Sequence, residues 1–86
     1  MSGQTEFVLT SHARDMLKER NISEDWLWQT LDSPDKIELG TEGNLHYLRA
    51  IQAQDNRVLR IIVNNKVTPF RIVTVFFDRR LSNKTR

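Results

Sequence analysis

The chain reads as an α+β domain, a strand and a two-helix hairpin packed on a four-stranded antiparallel sheet. Three observations carry this reading. A short β-rich opening precedes two stretches with helical spacing of apolar residues. At Pro34 the apolar period changes from helical to two. The connections between the later strands are too short for anything but antiparallel neighbours.

Glu6-Phe7-Val8-Leu9-Thr10 is short and β-rich, an opening strand or extended arm. From Ser11, Ala13, Met16 and Leu17 form one apolar stripe with Arg14, Lys18 and Arg20 between them, which predicts a helix over about 11–20 capped by Thr10 or Ser11. Asn21 tolerates the left-handed conformation that ends helices, and Ser23 before Glu24 and Asp25 starts a second helix with acids in its first turn. Leu27, Thr30 and Leu31 give that helix its inner face, widened by Trp26 or Trp28, until Asp32-Ser33-Pro34-Asp35 stops it. Strands are predicted over 36–39, 45–53, 57–64 and 70–78, separated by turn-forming polar segments. One domain over 1–81 is expected, with 82–86 a mobile polar tail.

The size agrees: 86 residues suffice for one small core, and Leu, Ile, Val and Phe make up 25 of them, above the roughly one-fifth below which disorder becomes the better guess. Without cysteine there is no disulfide scaffold, thiol nucleophile or thiolate-ligated metal. No apolar run approaches the roughly 18 residues of a membrane span, and the first residues lack a secretory signal, so a cytoplasmic protein without membrane contact is expected.

If Asp55-Asn56 forms a two-residue hairpin loop, Leu48 lies opposite Val63, Ala50 opposite Ile61 and Gln52 opposite Leu59. That apolar face belongs under the helices. The other then carries Tyr47, Arg49, Ile51, Val58, Arg60 and Ile62, an aromatic-basic surface suited to RNA or another polyanion; the alternative is an ordinary solvated face.

Charge is divided unevenly. Residues 1–43 hold nine acids and four bases, net −5, whereas residues 44–86 hold nine bases and two acids, net +7. Seven of those nine bases are arginine, whose planar fork suits phosphate, and Arg49, Arg57, Arg60, Arg71, Arg79 and Arg80 are the expected nucleic-acid contacts.

Gly40 and Gly43 do not form a phosphate-binding loop, and His12 and His46 sit on different elements, so neither nucleotide hydrolysis nor a metal site is expected. His12 sits in the first turn of the first helix, where the dipole favours a neutral imidazole able to act as a base; a polar residue at a frayed helix start is the plainer account. Arg20 either bridges the first helix to the sheet or pairs with Glu19 or Glu24 on the surface.

The string from Phe7 to Ser23, with Thr10, His12-Ala13, Met16 and Arg20-Asn21-Ile22-Ser23, resembles the opening of a family of small bacterial domains of unknown function. Pro34-Asp35, Tyr47 and Ile72-Val73-Thr74-Val75-Phe76 extend the resemblance along most of the chain. Asn21 replaces the usual glycine. The resemblance implies a fold similar to the RelE, ParE and BrnT toxins, several of which cleave RNA, and His12, Arg20, Tyr47 and Thr74 fall on the family's recognisable positions.

The expected function is therefore a metal-independent, cofactor-free endoribonuclease or RNA-binding domain of toxin–antitoxin type. His12 or Tyr47 would serve in proton transfer, with Arg49 and Arg60 on the phosphate. The alternatives are a non-enzymatic module whose basic sheet binds an acidic antitoxin-like protein or nucleic acid, and a homodimer contacting through Trp26 or Trp28.

Overall fold

The computed structural model describes residues 6–81; the polar tail expected over 82–86 lies outside the described residues. The order is β1 (Phe7–Leu9), α1 (Ser11–Glu19), α2 (Glu24–Asp32), β2 (Lys36–Leu39), β3 (Leu45–Ile51), β4 (Arg57–Asn64) and β5 (Phe70–Asp78). The helix ends follow from their local chemistry. The Thr10 hydroxyl accepts the Ala13 N–H at 3.2 Å, and Asn21 at φ 54 turns the chain out of α1 while the Ile22 N–H reaches the Leu17 carbonyl. The Ser23 hydroxyl accepts the Asp25 N–H, and Glu24 and Asp25 face the positive end of α2. Thr30 is buried, and its hydroxyl donates to the Trp26 carbonyl one turn back.

The sheet is five-stranded and mixed, in the order β1-β5-β4-β3-β2. This corrects the four-stranded antiparallel expectation: β1 joins the edge of β5 in parallel, with Phe7 opposite Phe70 and Leu9 opposite Ile72. Short connections dictate antiparallel pairing only between strands adjacent in sequence, and β1 pairs with the last strand, where no turn sets the direction. Ala13, Leu17, Leu27 and Leu31 from the helices cover Leu59, Ile61, Val63, Ile72 and Val75 of the sheet. Ile72 and Val75 both reach this core although three residues apart, because the pairing with β4 skips Val73.

The second correction is the β3–β4 register. Leu45 lies opposite Val63, Tyr47 opposite Ile61 and Arg49 opposite Leu59. A 3₁₀ turn at Gln52–Gln54 precedes Asp55 and Asn56, both at positive φ, so the connection is five residues rather than two. The resulting three-residue shift is odd, and because side chains alternate it exchanges the faces of β3 while leaving β4 as expected. Tyr47, 8% exposed, enters the core edge-on to Phe7, whereas Leu48, 4% exposed, turns to the helix-free face opposite Arg60.

Candidate functional site

Beyond Leu9, β1 no longer accompanies β5, and α1 lies along the strand in its place. The Thr10 hydroxyl donates to the Ile72 carbonyl at 2.7 Å and the Arg20 guanidinium to the Val75 carbonyl at 3.0 Å. Arg20 thus bridges helix to sheet, the first of the two roles its sequence position allows. Past this bridge a cleft of about 630 Å³ opens between Arg20, Arg57, Thr74, Phe76, Phe77 and Arg79. Its wall is aromatic: the Arg57 guanidinium lies 4.4 Å over the Phe77 ring, and Trp26 meets Phe77 edge-on at 6.1 Å. Stacking orients Arg57 without using its N–H donors, and Arg20 spends one donor on Val75. Among the described residues, no carboxylate forms an ion pair with Arg20, Arg57 or Arg79. Three cations and an aromatic wall, with no carboxylate among the described lining residues, have the chemistry to hold an anion.

The expected surface of Tyr47, Arg49 and Arg60 does not assemble. Tyr47 is in the core, where burial raises its phenol above the ordinary value and makes it a poorer proton-transfer group. Arg49 turns to the helix side and donates to the Ser33 carbonyl at 2.6 Å. Arg60 does lie on the helix-free face, but it is committed: Nε and a terminal nitrogen hold Asp78 at 2.8 and 2.7 Å, and the other terminal nitrogen donates to His46 Nδ1 at 2.7 Å. Since a guanidinium only donates, His46 carries its ring proton on Nε2 and directs it to Glu42 at 2.6 Å. A polar chain Glu42–His46–Arg60–Asp78 therefore runs across three strands. Burial alone would raise the Asp78 carboxyl, but hydrogen bonds from Arg60 and the Arg80 amide, with both guanidinium charges, hold it below 3.8. The hydrogen bond from His46 lowers Glu42.

His12 is exposed at the start of α1, at the opposite end of that helix from Arg20 and outside the cleft. Arg71 is exposed beside Val8 at the far end of β5, and Arg80 leans toward Asp78. Of the expected contacts the cleft thus gathers Arg57 and Arg79, adds Arg20 and Thr74, and leaves out Arg49, Arg60, Arg71 and Arg80. Glu42 and His46 are four residues apart, the spacing of one helical turn, but Glu42 lies in the turn before β3, which folds its carboxylate back onto the ring; a reading of this segment as turn and strand gave that spacing no meaning. No helix among the described residues is long and apolar enough to cross a membrane.

Residues 9–77 match the model of a family described as a domain of unknown function, DUF4258. The match takes in Arg20, Arg57, Thr74, Phe76 and Phe77 and stops two residues short of Arg79. No curated protein and no solved structure matches the chain.

Proposed function

Since the chain belongs to the DUF4258 family, a domain of unknown function, we propose its function from the cleft: it is an RNA-binding domain of toxin–antitoxin type that grips the phosphate backbone with Arg20, Arg57 and Arg79. The kinship with RelE, ParE and BrnT toxins belongs to the same proposal. The observation that carries it is the convergence of three guanidinium groups around Phe76 and Phe77 without a carboxylate among them. Arginine forks match phosphate oxygens, and the partly exposed Phe76 offers a ring to an unstacked base. Binding is favoured over cleavage because the described residues lining the cleft include no imidazole or carboxylate to take the 2′-hydroxyl proton.

The test is a salt titration of binding to a labelled single-stranded RNA. Arg57→Ala and Arg79→Ala should each weaken binding roughly 10- to 100-fold, as expected for lost charge-assisted hydrogen bonds, and each should lower the log–log salt slope by about 0.7. Arg71→Ala, outside the cleft, should match wild type. Equal affinity of wild type and both cleft variants would overturn the assignment. Binding of polyglutamate with no binding of RNA would replace it by an acidic protein partner, and RNA shortened by wild type but not by Arg57→Ala would make the domain a nuclease.

A further inference from the structure

The opposite end of the sheet poses a different question. Among the described residues β2 is the terminal strand, with Lys36-Ile37-Glu38-Leu39 along an edge that no other described strand pairs. Isolated edge strands invite pairing with another chain unless they are covered or disrupted. This one instead presents Ile37 at 49% and Leu39 at 72% exposure. Both stand on the helix side, since Ile37 lies opposite the inward Tyr47 and Leu39 opposite Leu45. There Ile37 lines a groove of about 650 Å³ whose wall includes Trp28, Leu31, Pro34 and Tyr47. Lys36 and Glu38 stand on the other face, 3.2 Å apart. The bond from the Gly40 N–H to the Asn44 carbonyl extends the hairpin pairing of Glu38 with His46, so by parity the backbone groups of Ile37 and Leu39 point away from β3.

We infer that β2 is the contact through which two copies of this chain associate, strand against strand, antiparallel about a two-fold axis at Ile37. The strand is self-complementary in that alignment. Lys36 comes opposite the partner's Glu38, Glu38 opposite the partner's Lys36, and Ile37 opposite itself, so two cross-strand ion pairs form on one face and an apolar pair on the other. The Ile37 backbone groups are those free to exchange hydrogen bonds across the axis. The partner's Leu39 comes opposite Asp35, on the helix side and beside Pro34 at the mouth of the groove, which gives the exposed leucine an apolar seat. A slip of one residue would set Ile37 against Glu38 and lose both ion pairs, so the charges specify the register as well as the partner. The result is one sheet continuous through both copies.

Sedimentation equilibrium of the full chain decides it, with a pair of charge variants. Wild type should be a dimer that dissociates on dilution. Lys36→Glu and Glu38→Lys should each be monomeric, because each sets like charges together twice, and their equimolar mixture should again give a dimer. Leu39→Lys should be monomeric by a route independent of the ion pairs. Glu38 lies 3.8 Å from Arg60, so circular dichroism and melting of each variant establish that loss of the dimer is not loss of the fold. A wild type that stays monomeric at its highest soluble concentration, a dimer that survives Lys36→Glu, or a mixture that remains monomeric would each overturn the inference. None of these variants touches the arginine cleft, so this result and the RNA titration stand or fall separately.

Discussion

Along β5, a helix takes over where the parallel strand ends, and Thr10 and Arg20 of that segment supply the hydrogen bonds that a neighbouring strand would have made. Along β2 no element among the described residues follows, and Ile37 and Leu39 remain exposed at the outer edge of the sheet. The first edge is closed by side chains, and the residue that closes it, Arg20, also brings a positive charge to the cleft beyond. The second leaves its outer backbone groups and apolar side chains available for the inferred pairing of two copies. One sheet thus ends in an electrostatic surface and in a hydrophobic, self-complementary one, according to whether a helix reaches the edge. The −5 and +7 halves of the chain foreshadow the first of these and say nothing of the second.

The contrast presupposes the observed β3 register, and Tyr47 tests it most severely. Tyr47→Ala should cost about 3–5 kcal/mol in chemical denaturation, as for other large buried aromatics. A loss near zero would return Tyr47 to the helix-free face and remove a wall of the groove beside β2.

Next is the ion pair between the edges. Arg60→Ala leaves the Asp78 carboxylate, 5% exposed, without its main partner and should cost about 1.5–3 kcal/mol. Because Asp78 sits below 3.8 when folded, its contribution is complete above that pH and is lost as pH falls through the folded value. Asp78→Asn should therefore be less stable than wild type at neutral pH and should converge on it in acid. Parallel stability–pH curves would place the proton elsewhere.

The closed edge should respond less. Thr10→Ala removes both the α1 cap and the bond to Ile72, for about 1–2 kcal/mol, with amide exchange accelerating at the start of α1. Arg20→Ala should cost only about 0.5–1.5 kcal/mol while lowering RNA affinity by a larger factor, the signature of a residue that closes the edge and also binds. The open edge should respond least: Leu39→Thr should stay within about 0.5 kcal/mol of wild type and change the assembly state instead. A large stability loss there would mean that β2 is already covered within one chain.

Much of this architecture is written in local sequence. Alternation and turn residues put strands at 36–39, 57–64 and 70–78, the bounds of β2, β4 and β5. Thr10, Asn21 and Ser23 end the helices through side-chain and backbone preferences that act within a few residues. Tertiary structure decided what depends on counting across a turn or on distant segments meeting. Five loop residues after Ile51, rather than two, reversed the faces of β3 and dispersed Tyr47, Arg49 and Arg60. The cleft joins Arg20, Arg57 and Arg79, which no spacing relates, because apolar burial lays α1 against β5 where β1 ends. Periodicity within a segment reports which residues share a face. Which face turns inward, and which charges converge, is set by the free energy of packing the segments together.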